Sequence, residues 1–152
     1  MFRVPVRTDM FINQISVFIE NRPGRLSAIT KVLGDNNIDI RALSLADTAT
    51  FGVLRLIVDS PEKAESVLRE NGFTVSITRV IAVEVKDAPG GLHSTLERLR
   101  AADISVEYAY AFITRKEEGA FVILRVEDND AAVEHLKESG VRMLSAEEIY
   151  SL

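Results

Sequence analysis

The chain carries a near-copy of itself, and this internal repeat constrains its fold more than any other feature. Asn21-Arg22-Pro23-Gly24-Arg25-Leu26 returns 66 residues later as Asp87-Ala88-Pro89-Gly90-Gly91-Leu92, and Ile38 falls on Ile104 at the same offset. Further on, Phe51-Gly52-Val53-Leu54-Arg55-Leu56 matches Phe121-Val122-Ile123-Leu124-Arg125-Val126 at an offset of 70, and Leu68 and Gly72 match Leu136 and Gly140 at 68. This alignment asks for an insertion of four residues within Ile113 to Glu118 and a deletion of two near Asp59 to Pro61. Both slips fall in loops, which tolerate length changes. The 152 residues therefore divide into an N-terminal segment, 1–13, and two units, 14–79 and 80–152. A unit of about 66 residues buries only ~60% of its unfolded surface, so two copies sharing an interface are expected.

Within each copy the periodicities come in the same order. Ile15, Val17 and Ile19 alternate with Ser16, Phe18 and Glu20, and Ile81, Val83 and Val85 alternate with Ala82, Glu84 and Lys86, the two-residue period of a strand. After each Pro-Gly turn, Leu26, Ile29, Val32 and Leu33, and likewise Leu92, Leu96 and Leu99, recur at helical spacing. Asn36-Asn37 ends the first helix. Ile38 to Leu45 with Phe51 to Val58, and Ile104 to Ile113 with Ala120 to Val126, read as hairpins rich in β-branched and aromatic residues. A second helix runs from Pro61, a good first-turn residue, to Gly72, and its copy from Asp130 to Gly140. Phe73 to Thr78 and Val141 to Leu144 close the units as final strands. Ser145-Ala146-Glu147-Glu148 has the pattern of a capping box opening a short terminal helix.

The order is βαββαβ twice, an α+β, ferredoxin-like arrangement with two helices on one face of each antiparallel sheet. If Leu54, Leu56 and Val58 face the helices, Phe18, Val53 and Ile57 lie on the opposite, open face. An apolar face of that kind marks an interface, so pairing of two chains is expected.

Composition removes several classes of function. Eighteen Lys and Arg against 23 Asp and Glu give a net charge of -5, which lacks the basic footprint needed to neutralise phosphates, so nucleic acid is not an expected partner. There is no Cys, and the two histidines, His93 and His135, sit in different helices without a carboxylate–histidine motif, so neither a metal site nor a cofactor is expected. Charges interrupt every apolar run before the ~18 residues of a membrane span, and residues 1–12 lack the apolar core of a signal peptide. A cytoplasmic location without membrane contact is the resulting expectation.

The segment Ile15 to Leu26, a strand that enters a helix directly through Glu20-Asn21-Arg22-Pro23-Gly24-Arg25-Leu26, resembles the strand-to-helix junction of the ACT domain, which commonly reads D/N-x-P-G-x-L on the same βαββαβ order. The resemblance spans nearly the whole chain as tandem copies, in the manner of free-standing two-copy ACT proteins with no catalytic domain. It implies a regulatory role: binding of an amino-acid effector between this loop and the second strand of a neighbouring unit. Asp39, Arg41 and the strand Ser105 to Tyr110 become candidates on that ground, with Tyr108 or Tyr110 walling the effector side chain. In serine-sensing members a histidine stands two residues before the loop asparagine; Ile19 stands there here, so serine is not the favoured ligand.

The physics of the junction points the same way. First-turn amides at Gly24, Arg25 and Leu26 lack helical acceptors, and glycine lets a carboxylate approach them near the positive helix end. Asn21 offers a donor and an acceptor to a zwitterion, and Asp39 an acceptor for its ammonium. The site set is thus Asn21, Arg22, Pro23, Gly24, Arg25, Leu26 and Asp39, with Asp87, Pro89, Gly90, Gly91, Leu92 and Tyr108 of the second copy. Asp87 in place of Asn21 makes the two loops unequal, since an anion there repels a carboxylate unless it takes the ammonium. The structural alternative is that Asn21 and Asp87 simply cap helices. Arg55 and Arg125 are expected to pair with Glu20, Glu84 or Glu107 across strands, and Lys116-Glu117-Glu118 to form a solvated turn.

Three functions compete. The first is a non-catalytic amino-acid sensor that forms a homodimer and modulates a metabolic enzyme or transporter. An assembly subunit that docks on a partner without binding a metabolite is the second. The third is an enzyme, for which only Asp39 and Glu107 offer strand carboxylates, and no nucleophile, metal cluster or phosphate loop supports it.

Overall fold

The computed structural model describes residues 8–47, 50–112 and 120–152; the expected insertion, the Lys116-Glu117-Glu118 turn and most of the N-terminal segment lie outside them. After a short turn at Thr8–Met10 the elements are β1 Ile12–Glu20, α1 Arg25–Asp35, β2 Ile40–Asp47, β3 Phe51–Val58, α2 Pro61–Glu70, β4 Thr74–Val85, α3 Gly91–Ala101, β5 Val106–Ala111, β6 Ala120–Val126, α4 Asn129–Glu138, β7 Met143–Leu144 and α5 Ala146–Tyr150. They form two compact modules. The first comprises Asn13–Thr78 with Ile149–Leu152, and the second Arg79–Glu148 with the described residues up to Ile12.

In the first module the strand order is β2-β3-β1-β4, and in the second β5-β6-β4-β7, with the pairings whose register is defined all antiparallel. Both are the ferredoxin-like order expected from βαββαβ. The repeat extends to single backbone angles: Asn37 and Asp103 turn with φ of 56° and 57°, and Gly72 and Gly140 leave their helices with φ of 85° and 76°. Each module has its own core. Ile15, Val17 and Ile19 pack with Ile29, Leu33, Leu54, Leu56 and Leu68 in the first. Ile81, Val83 and Val85 pack with Leu99, Leu124 and Leu136 in the second, where Met10 and Phe11 also rest on the core.

Four expectations are corrected. Phe73 to Thr78 and Ile81 to Val85 are not separate strands, because β4 runs unbroken from Thr74 to Val85. The intervening Thr78-Arg79-Val80 contains no glycine or proline to break it and two β-branched residues that favour its continuation. The offset of 70 between β3 and β6 is also wrong. Ile15 pairs with Leu56 and Ile81 with Leu124, which aligns the strands at 68, so the hairpin of the second copy is longer by two residues and no deletion follows. A slip of two residues preserves which face every side chain occupies, so alternation alone did not expose it.

Thirdly, the sheet face opposite the helices is open at Phe18, which is 49% exposed, whereas Ile57 and Gln14 on the same face are fully buried. Lastly, Leu92 is 42% exposed and off the apolar stripe; α3 buries Gly91, Thr95 and Leu99 instead.

Candidate functional site

The two Pro-Gly loops are built alike. Each ends in a glycine that caps the following helix in the left-handed region, Gly24 with φ 84° and Gly90 with φ 84°, and neither helix has a side-chain cap. An L-residue with a side chain would meet a cost of about 1–2 kcal/mol in that conformation. Asn21 and Asp87 lie three residues earlier and are not the caps, so the capping alternative does not describe this structure. The amides of Arg25 and Gly91 are taken by the carbonyls of Arg22 and Ala88, a correction to the expectation that Arg25 would offer its N–H to a ligand. The first helical bonds run from Ala28 to Gly24 and from Ser94 to Gly90. Leu26 and Ser27, and Leu92 and His93, therefore present the first-turn N–H groups that precede the helical ladder.

Loop one holds a pair absent from the sequence reading. Asn21 Nδ2 donates to Asp47 Oδ1 at 3.3 Å, both residues exposed, while the Asn21 N–H reaches the carbonyl of Thr50 at 3.4 Å. Asp47 ends β2 opposite Gly52 and so lies beside the loop that follows β1. Arg22 reaches back to Glu20 at 2.5 Å, and Pro23 fixes the turn before Gly24. Arg25 folds away from the loop, its guanidinium 4.9 Å from the Phe73 ring centroid and its Nε buried without a hydrogen bond.

Asp39 lies at the far end of the module. Its carbonyl accepts from Asp59 N–H, its own N–H donates to Asp59 Oδ1, and Ile40 pairs with Val58, whereas loop one adjoins the Phe51 end of β3. Eight strand residues separate the two ends by about 25 Å. Within one module Asp39 and loop one do not meet; only another module can bring the two together. Asp39 instead pairs with Arg41, whose Nη2 donates to the carbonyl of Tyr150 at 3.2 Å. The Tyr150 hydroxyl in turn accepts the Asn13 N–H at 3.2 Å, so Arg41 and Asn13 clasp the C-terminal residues onto the first module. Burial raises the Tyr150 pKa above the usual tyrosine value, the hydrogen bond from Asn13 opposes this, and the Glu62 charge adds to it.

In loop two, Asp87, Ala88, Pro89 and Gly90 are exposed and Gly91 is buried. A Cβ at Gly91 would lie 1.9 Å from the Lys86 carbonyl, so only glycine fits there. Tyr108 on β5 pairs with Arg125 on β6, and β6 stands between β5 and the strand leading to loop two, so Tyr108 is not part of that loop's surroundings in its own module. The segment corresponding to Asp47 falls within residues 113–119, outside the described residues. Arg125 pairs with Glu107 at 3.3 Å as expected. Its structural counterpart is Ile57 and not Arg55, because of the 68-residue offset. His93 is exposed and His135 half-buried on different helices, and the described residues hold no group of side chains suited to a metal ion.

Twin ferredoxin-like modules, each entering its first helix through a Pro-Gly turn, define a tandem-repeat protein of the α+β class. The family model described as an ACT domain pair matches residues 10–152, and the chain belongs to that family. Its fold is shared with a protein of Bacteroides thetaiotaomicron known from its crystal structure, at 39% identity and a TM-score of 0.88 over 94% of this chain and 98% of that one. The ligand-free regulatory subunit of aspartate kinase from Thermus thermophilus is similar at 15% identity and a TM-score of 0.61, covering 85% of this chain and 92% of its own. The corresponding subunit from Thermus flavus gives 15% and 0.54 over 84% and 92%. At that identity the Thermus proteins share the fold alone. No curated protein matches the chain. Among the described residues no helix is long and apolar enough to cross a membrane.

Proposed function

We propose that this chain is a non-catalytic amino-acid sensor, a homodimer that seats a small free amino acid at its Pro-Gly entrances and passes the change in packing to a partner enzyme or transporter. The observation that carries this reading is loop one. The Leu26 and Ser27 amides face a ligand carboxylate at the positive helix end, while the exposed Asn21–Asp47 pair, 3.3 Å apart, supplies acceptors for an ammonium. Membership of the ACT domain pair family supports a regulatory rather than a catalytic role. Asp39 and Tyr108 then act from another module, as in effector sites formed where ACT units of two chains meet.

Thermal unfolding against single amino acids tests this. A ligand at one hundred times its dissociation constant adds ~2.7 kcal/mol to the folded state, several degrees in a protein of this size. Asn21→Ala is expected to abolish that shift and leave the apo melting temperature within about a degree, because Asn21 caps no helix and its side-chain bond to Asp47 is exposed. Silence toward every amino acid would favour the second reading, an assembly subunit. That reading draws on the exposed apolar side chains Phe18, Leu43, Leu45 and Phe51 of the first module.

A further inference from the structure

The second module contains a cavity of 600 Å³ between loop two, the body of α3 and the turn from α4 to β7. That is within the ~300 to 1,000 Å³ typical of small-molecule sites. Lys86, Arg98 and Arg142 line it with Ser94 and Thr95, and Glu84 is the one carboxylate among the described lining residues. A wall with three cations and one anion stands out in a chain whose net charge is -5. Thr95 is 5% exposed on the inner face of its helix.

The first module shows how such a space is closed. The positions equivalent to Ser94, Thr95, Arg98 and Arg142 are Ala28, Ile29, Val32 and Thr74, so none of the four carries charge. Gly91 and Val141 correspond to Arg25 and Phe73, and the Arg25 guanidinium lies over the Phe73 ring, occupying the corresponding region with the protein's own cation. In the second module no side chain can extend from position 91, because the Lys86 carbonyl is in the way. One copy of the repeat is therefore plugged by its own side chains, and the other open, polar and cationic.

We infer that this cavity is the receptor site of loop two and takes a free amino acid whose side chain bears a second acid group. Two carboxylates match the cations of Lys86 and Arg98, and the single ammonium matches Glu84, while Arg142 braces the wall. Arg142 already spans Glu84 and Glu148 at 3.1 Å each, and Arg98 Nη1 donates to the Ser139 carbonyl at 2.8 Å, so these two cations are held in place before a ligand arrives. This assignment rests on the sensor reading, deepens it to a ligand class, and is separable from loop one.

The test is titration of the whole chain with L-glutamate, L-aspartate, L-valine and inorganic phosphate, followed by calorimetry and by amide chemical shifts. Saturable binding of an acidic amino acid is expected, at least tenfold weaker in Lys86→Ala and in Arg98→Ala. Val141→Phe, which places the first module's aromatic ring at the cavity, should also abolish it while circular dichroism reports an intact fold. Equal binding of phosphate or valine would overturn the assignment, as would acidic binding indifferent to all three cavity variants. Valine binding lost in Asn21→Ala, with no acidic response, would leave the sensor reading standing and remove this site. Silence toward all four probes would remove the site as well.

Discussion

At the scale of single residues, the geometry of the candidate site was half legible. Pro23-Gly24 and Pro89-Gly90 could be read because a left-handed helix cap admits little but glycine, which leaves a mark in the sequence. Asp47 could not, because its closeness to Asn21 depends on β2 and β3 pairing in one register, and the chain from Ile38 to Val58 offered Asp39 with equal plausibility. The role of Tyr150 was equally hidden, since it requires the C-terminal residues to return to Asn13 and Arg41. Its titration has a defined sign. Because burial raises its pKa, the folded state favours the protonated phenol; its contribution is complete below the unfolded value near ~10 and fades as the pH rises through the higher folded value. Tyr150→Phe should cost about 1 kcal/mol at neutral pH through the lost acceptor for Asn13, and should flatten the alkaline fall in stability. Urea unfolding of both proteins at pH 7 and above pH 10 reads both effects; parallel losses at the two pH values would count against the assignment.

At the scale of elements, most of the helices and strands were legible because their periods are clean, and the misses share a cause. The repeat boundary suggests a loop before Ile81, yet Ile77-Thr78-Arg79-Val80 contains nothing that ends a strand, and β4 runs through it. Leucine recurs at 92, 96 and 99 as an apolar stripe, while the buried line of α3 runs through Gly91 and Thr95, small and polar residues that a hydrophobic pattern passes over. The capping box was visible as a motif and is present in full: Glu148 N–H donates to Ser145 Oγ at 3.1 Å, and Ser145 N–H donates to Glu148 Oε1 at 3.3 Å. A five-residue helix has little stability of its own, so this box has much to do with whether α5 forms. Ser145→Ala is expected to cost about 1 kcal/mol and to raise hydrogen exchange at Ile149 and Tyr150. Unchanged exchange at those two amides would show that α5 is held by the burial of Ile149 alone.

At the scale of the whole molecule, the two modules share a fold but not a surface. Phe18, Leu43 and Leu45 are 49%, 37% and 48% exposed in the first module, and their counterparts in the second are Glu84, Ala109 and Ala111. The sequence alone shows these pairs once the repeat is aligned, but not that Phe18 stays uncovered while Ile57, on the same face, is buried. Phe18 lies on the open sheet face beside Val53, whereas Leu43 and Leu45, opposite Leu56 and Leu54, lie on the helix side of β2, which is a sheet edge, the position at which a further strand can add. Copying the second module's residues onto the first gives a discriminating variant. Phe18→Glu with Leu45→Ala removes two half-exposed side chains without touching the buried core, so the melting temperature should change little. Sedimentation equilibrium should report twice the 16.9 kDa chain mass for the unaltered protein and the single-chain mass for the variant. A single-chain mass for both would remove the dimer from the sensor reading. A dimer in both would move the contact elsewhere, because the carboxylate introduced by Phe18→Glu cannot enter an apolar interface without a partner to offset its desolvation.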